Sequence, residues 1–190
     1  MEAALTLFLR QGYRETTTDE IAALAGVSKR TIYHTFPDKE NLFDTLVRGS
    51  IERAQSFLDD TSFALGGASD LRSAMQSVAL KYVDTVFQSH VLQLRRLVIS
   101  EANRFPELAL SYYRQVPGRT IDSLAEDFRQ LSKKGALRAN DPGRMAQHFA
   151  ALLIEHPLDM AMFGALTPID ELRKAALDGV DAFLAAYAAK

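Results

Sequence analysis

The chain has 190 residues, 47% of them hydrophobic, which suffices for one good core, or for one core with a small appended module. A net charge of −2 gives no overall attraction to nucleic acid, so a DNA-binding reading must rest on local patterning. The absence of cysteine excludes disulfides and thiolate metal sites, and no apolar run approaches the roughly 18 residues that suggest a membrane span.

From Met1 to Gln11 the chain is amphipathic rather than continuously apolar, so it does not read as a secretory signal, and a soluble, cytoplasmic protein is expected. Leu5, Phe8 and Leu9 form one stripe of a first helix, from Met1 to Arg10, that Gly12 is placed to end. Thr17 and Glu20 fit a capping box, in which hydroxyl and carboxylate each satisfy an orphan amide at the start of a second helix. Ile21, Ala22, Leu24 and Ala25 supply its apolar face. Gly26, expected at positive φ, turns the chain, and Ser28 caps a third helix whose apolar face is Val27, Ile32 and Phe36. Pro37 and Asp38 stop this helix and start a long one, from Lys39 to about Asp59. Along it Leu42, Phe43, Leu46, Val47, Ile51, Ala54 and Leu58 recur at helical spacing, and Gly66, Gly67 and Ser69 punctuate the chain beyond. These signals divide the chain into a small N-terminal domain, 1–48, and a helical C-terminal domain, 49–190.

The remainder is helical by pattern, with no alternating strand signal. Leu71, Met75, Val78, Tyr82 and Val86 make one stripe, and Leu94, Leu97, Val98 and Phe105 a second that Glu101 shares. Pro106 opens the next helix, Pro117 and Gly118 interrupt or kink it, and Ile121, Leu124, Phe128 and Leu131 carry the stripe on to Lys133, Lys134 and Gly135, a helix end. Asp141-Pro142 and Thr167-Pro168 each read as an N-cap followed by Pro at the first helical position. Between Met145 and Phe163 nearly every face is apolar, and the last helix carries Ile169, Leu172, Ala176, Val180, Phe183 and Tyr187. A helix apolar all round is buried all round, either as one chain's central helix or in a four-helix bundle made by two copies. In the second case Phe149, Leu153, Leu172, Leu177, Val180 and Leu184 are the expected interface.

On the third helix, Ile32 and Phe36 face inward, which leaves Lys29, Arg30, Tyr33 and His34 outward. Arg and Lys can read the guanine edge, while hydroxyls and a helix N-terminus position phosphates. The run GVSKRTIYHTFPDKENLF resembles the N-terminal DNA-binding domain of the TetR/AcrR family of transcriptional regulators, closely over residues 1 to about 50. The resemblance implies an all-α protein with a three-helix helix–turn–helix domain and a helical domain that binds a small effector and dimerises. It places Thr17, Thr18, Ser28, Thr31, Tyr33 and Lys39 against the DNA backbone, and Lys29, Arg30 and His34 against bases or nearby phosphates. Family members usually carry a basic segment ahead of the first helix, whereas this sequence starts inside that helix, so a segment upstream of Met1 is expected.

In the C-terminal domain the resemblance implies an effector pocket, for which Tyr82, Phe87, Leu94, Glu101, Tyr112, Phe128, Phe149, Leu153 and His156 are candidates. Glu101, if buried, needs a partner, with Arg95, Arg96 or a cationic effector available, and Pro157 should bend the helix that carries His156. No metal or catalytic constellation is present: His90, His148 and His156 form no i, i+4 pair, and neither a nucleophile elbow nor a P-loop occurs. The expected protein is therefore a cofactor-free, non-enzymatic, homodimeric regulator, most simply a repressor, that binds a near-palindromic double-stranded operator and is released by a small-molecule effector. The alternatives are a helical-bundle enzyme and an adaptor whose helix–turn–helix binds protein.

Overall fold

The computed structural model describes residues 1–60, 65, 70–138 and 141–189, without the side chains of 55–60. The expected punctuation at Gly66, Gly67 and Ser69, and the side chain of Leu58, lie outside the described residues. The described part is helical, with no strand beyond one antiparallel bridge between Leu137 and Ala188. In order, the helices are α1 (Glu2–Glu15), α2 (Thr18–Ala25), α3 (Lys29–Thr35), α4 (Lys39–Asp60), α5 (Leu71–Val86), α6 (Ser89–Ser100), α7 (Pro106–Tyr113), α8 (Arg119–Lys133), α9 (Pro142–Met162) and α10 (Ile169–Tyr187).

The punctuation follows local chemistry. Thr17 and Glu20 form the capping box in full: the Glu20 amide donates to Thr17 Oγ1 at 3.2 Å, and the Thr17 amide to Glu20 Oε2 at 2.8 Å. Gly26 takes the left-handed conformation, φ 66°, that ends α2, and Ser28 caps α3. Pro106 opens α7 and Asp141-Pro142 opens α9 as expected. Two terminators act differently. At Gly12, φ 80° and ψ 173° break α1 without ending its helical course, and Tyr13 beyond the break is buried. Pro168 itself, with ψ 141°, occupies the cap position of α10, and the Thr167 hydroxyl makes no cap there, because extended ψ leaves Ile169 as the first helical residue. Pro117 lies within a π-helical turn, Arg114–Gly118, between α7 and α8, whereas α9 continues across Pro157.

Packing groups the chain differently from the contiguous division at residue 48. One compact unit joins Met1–Phe57 to Gln93–Val116, and the other joins Leu58–Leu92 to Pro117–Lys190. The first unit has its own core, in which Phe8, Tyr13, Leu42, Phe43 and Val47 pack with Leu97, Val98, Leu108 and Tyr112. Its centre is aromatic: the Tyr13 ring lies 5.0 Å from Phe43 and 5.1 Å from Phe105, centroid to centroid. The link between the two stretches is Phe105 of the α6–α7 loop, whose ring meets both Tyr13 of α1 and Phe43 of α4.

The second unit is built around α10, which packs on α5 and α9, while α9 packs on α8. Its core gathers Met75, Leu124, Phe128, Met145, Phe149, Leu153, Val180 and Phe183. Gly179 lets α9 and α10 approach closely, since a Cβ there would stand 2.8 Å from the Leu152 carbonyl oxygen. Arg173 forks onto Asp84, with nitrogen–oxygen distances of 2.9 and 3.1 Å, and Arg72 pairs with Asp181, so two ion pairs link α5 to α10.

Candidate nucleic-acid interface

Helix α3 is too short to be stable alone and is held on three sides. Ile32 is buried beneath it, Ser28 Oγ meets Thr31 Oγ1 at 2.8 Å in its first turn, and Tyr33 OH meets Thr18 Oγ1 at 3.2 Å, tying α3 to the start of α2. Lys29 Nζ donates to Asp19 Oδ2 at 2.8 Å, a bond that raises the lysine pKa. Arg30 and His34 are exposed, and neither has a side-chain partner among the described residues. The outward face therefore presents an unpaired guanidinium and imidazole, with one lysine spanned back to α2.

Several expected residues have other tasks here. Thr17 and Glu20 are committed to each other, and the Thr17 amide is the chief cause holding the Glu20 carboxyl below its usual pKa. Leu24 and Val27, expected on the apolar faces, are exposed, because the corner at Gly26 carries both beyond the core that Ile21 and Ala22 enter. Lys39 turns inward: its ammonium donates to the carbonyls of Tyr13 at 2.9 Å, Thr16 at 2.8 Å and Arg14 at 3.4 Å, and stands 4.4 Å from the Tyr13 ring centroid. Burial, then the neighbouring Arg104, lowers its pKa. Arg104 lies on the same ring, 4.9 Å from the centroid, and pairs with Glu40. Tyr13, Thr16, Glu40 and Arg104 were invisible to motif reading; the one signal was an aromatic directly beyond a glycine that should have ended the helix.

The expected effector residues do not share one core. Tyr82, Phe128, Phe149 and Leu153 are buried in the second unit, with Phe87 packed against them, and His156 is exposed on α9. Leu94 and Tyr112 belong to the first unit's core. Glu101 is half-buried in that unit, and its charge acts on Tyr13, Lys39 and Arg104 rather than pairing with Arg95 or Arg96. Of the expected interface residues, Phe149, Leu153, Leu172, Val180 and Leu184 are consumed by the chain's own core, and only Leu177 is half-exposed. The large apolar side chains that α9 and its loop leave in solvent are Leu152, Met160, Phe163 and Leu166. On a helix apolar all round, sequence does not mark which stripe the fold itself uses.

No helix among the described residues is long and apolar enough to cross a membrane, and no group of His, Asp or Glu among them could hold a metal. Residues 1–46 match the family model described as bacterial regulatory proteins of the tetR family, and residues 73–189 match that of the AefR-like transcriptional repressor C-terminal domain. A solved TetR-family regulator from Mesorhizobium loti is 32% identical over 98% of this chain and 94% of its own, with a TM-score of 0.88. The flavonoid-responsive regulator FrrA is 30% identical over the same shares, with a TM-score of 0.72. The uncharacterised regulator YvkB of Bacillus subtilis is 23% identical over 80% of this chain and 76% of its own. With both ends of the chain matched and the helix–turn–helix built as described, the chain belongs to the TetR family of DNA-binding transcriptional repressors, regulators rather than enzymes.

Proposed function

We propose that this chain works as a cytoplasmic homodimer on a near-palindromic operator, with α3 of each copy in the major groove. The observation that carries the reading is Arg30: an exposed guanidinium without a partner among the described residues, on a helix whose inner face and first turn are both fixed. A pre-positioned guanidinium can meet guanine O6 and N7 with two hydrogen bonds. His34 lies one turn on along the same face, and Lys29 can exchange Asp19 for phosphate. Thr17, Thr18, Ser28, Thr31 and Tyr33 then supply or position backbone contacts. Two recognition helices roughly 34–36 Å apart would address successive major grooves.

The second copy docks in this reading on the outer face of α9, where Leu152, His156, Met160 and Phe163 recur at helical spacing, with Leu177 of α10 the one residue of the expected interface left partly exposed. The effector is a small organic molecule bound by the C-terminal domain. FrrA is described as flavonoid-responsive, and a TetR-like neighbour from Saccharomonospora viridis, 21% identical, was solved in complex with choline. The core position of Tyr82, Phe128 and Phe149 makes Phe87, which packs against that core from its edge, the better candidate for contact. The test is binding of the purified chain to the DNA flanking its own gene. Specific binding that weakens steeply with salt and is released by a small molecule is expected; binding no tighter than to unrelated DNA would end the reading.

A further inference from the structure

The family resemblance puts Lys39 against a DNA phosphate, but the structure gives its ammonium other work. A lysine carries three donors, and all three have carbonyl acceptors here: Tyr13, Arg14 and Thr16. These carbonyls belong to the last turn of α1 and its cap residue Thr16, beyond the break at Gly12, where oxygen atoms lack intrahelical partners and a cation is favoured. The next residue, Thr17, opens the capping box of α2, and Thr18 after it meets Tyr33 of α3. The lysine thus ties the start of α4 to the corner from which α2, and through it α3, departs.

The tie is braced from a distant part of the sequence. Arg104, in the loop between α6 and α7, stands over the Tyr13 ring that Lys39 also faces, and its guanidinium pairs with Glu40, the neighbour of Lys39. Two cations therefore share one aromatic ring, and only one of them has a carboxylate. Glu40 keeps the second cation in place against the first. We propose that Lys39 is a positioning residue for DNA recognition and not a phosphate contact, and that the Arg104–Glu40 pair holds it in that position. The proposal rests on the chain being a DNA-binding regulator, and it makes Arg104 a determinant of operator affinity although it lies far from the helix–turn–helix in sequence.

Salt dependence separates the two roles. A lysine that neutralises a phosphate releases counterions, so removing it makes the plot of log affinity against log salt shallower by about 0.9. The full-length protein and its Lys39→Met, Arg104→Gln and Glu40→Gln variants are titrated with operator DNA over a range of salt. Lys39→Met should lose about tenfold or more in operator affinity with the salt slope unchanged, and the two partner variants should lose several-fold, again without a change in slope. Because the Arg104–Glu40 pair is solvent-exposed, its variants should keep the wild-type melting temperature even if Lys39→Met folds poorly. The reversed pair, Arg104→Glu with Glu40→Arg, should regain much of the affinity that either reversal alone loses, and an affinity loss at unchanged melting temperature is what a merely structural role would not give. A slope shallower by about one in Lys39→Met, unchanged affinity in the partner variants, or no recovery in the reversed pair would overturn the assignment. Wild-type protein that shows no salt-dependent operator binding would instead overturn the functional reading, and this proposal with it.

Discussion

Asp127 on α8 is half-buried, and its Oδ2 is fully shielded with no hydrogen-bond partner among the described residues. Burial pushes its carboxyl up from the usual 3.8 to about 6. Below the lower value the carboxyl is protonated in both folded and unfolded chains and contributes nothing to the pH dependence. Between the two values the folded chain keeps a proton that the unfolded chain has released, so stability falls as pH rises. Above about 6 the folded chain carries the charge, and the cost is complete. At about 1.4 kcal/mol per pH unit, that displacement corresponds to about 3 kcal/mol. Solvent reaches the half-exposed group and screens the charge, so about 1–2 kcal/mol is the expected cost. Asp127→Asn has no charge to bury and should therefore raise the unfolding free energy by about 1–2 kcal/mol at pH 7.5. The gain should shrink towards zero near pH 4. Urea titrations of both proteins at matched ionic strength, at several pH values across this interval, give the difference directly. A variant no more stable than wild type at pH 7.5, or a gain that persists undiminished in acid, would refute the assignment of a destabilising buried charge.

Arg30→Ala should cost about 1–3 kcal/mol in specific binding and relax the preference at one base pair, read by competition between operator variants. Leu152→Glu with Phe163→Glu should give monomers by light scattering while the helical circular-dichroism signal persists, because both side chains are exposed. Gly179→Ala should destabilise the chain by about 1–3 kcal/mol in urea, although alanine favours helix, since its methyl group would press on the Leu152 carbonyl.

Much of the fold was legible because the devices that start and stop helices are local. The Thr17–Glu20 box, the left-handed Gly26, the Ser28 cap and the Asp141-Pro142 start each depend on residues within one turn of each other, and each is present. The outward direction of Arg30 and His34 followed from Ile32 and Phe36, four residues apart on the inward face. Other features depend on partners far apart along the chain. Arg104 and Glu40 are 64 positions apart, and nothing near either one announces the pair. Lys39 sits at a helix start, where a solvent-facing cation is the natural expectation, and only the broken end of α1 draws it inward. Leu152 and Leu153 are adjacent and chemically identical, yet one is exposed and the other buried. Only the packing of α8 and α10 on α9 decides between them.

The division of the first core between two stretches of chain has a consequence for synthesis. When the ribosome has made α1 to α4, the rings of Tyr13 and Phe43 still lack Phe105, and the core they belong to still lacks Leu108 and Tyr112. About 50 more residues must follow, which takes several seconds at typical elongation rates of about 5–20 residues per second. During that interval the nascent head is incomplete and exposes aromatic surface. A message cut short, or a chain clipped before α6, should therefore yield a fragment that chaperones and proteases recognise, not a free-standing competitor for the operator.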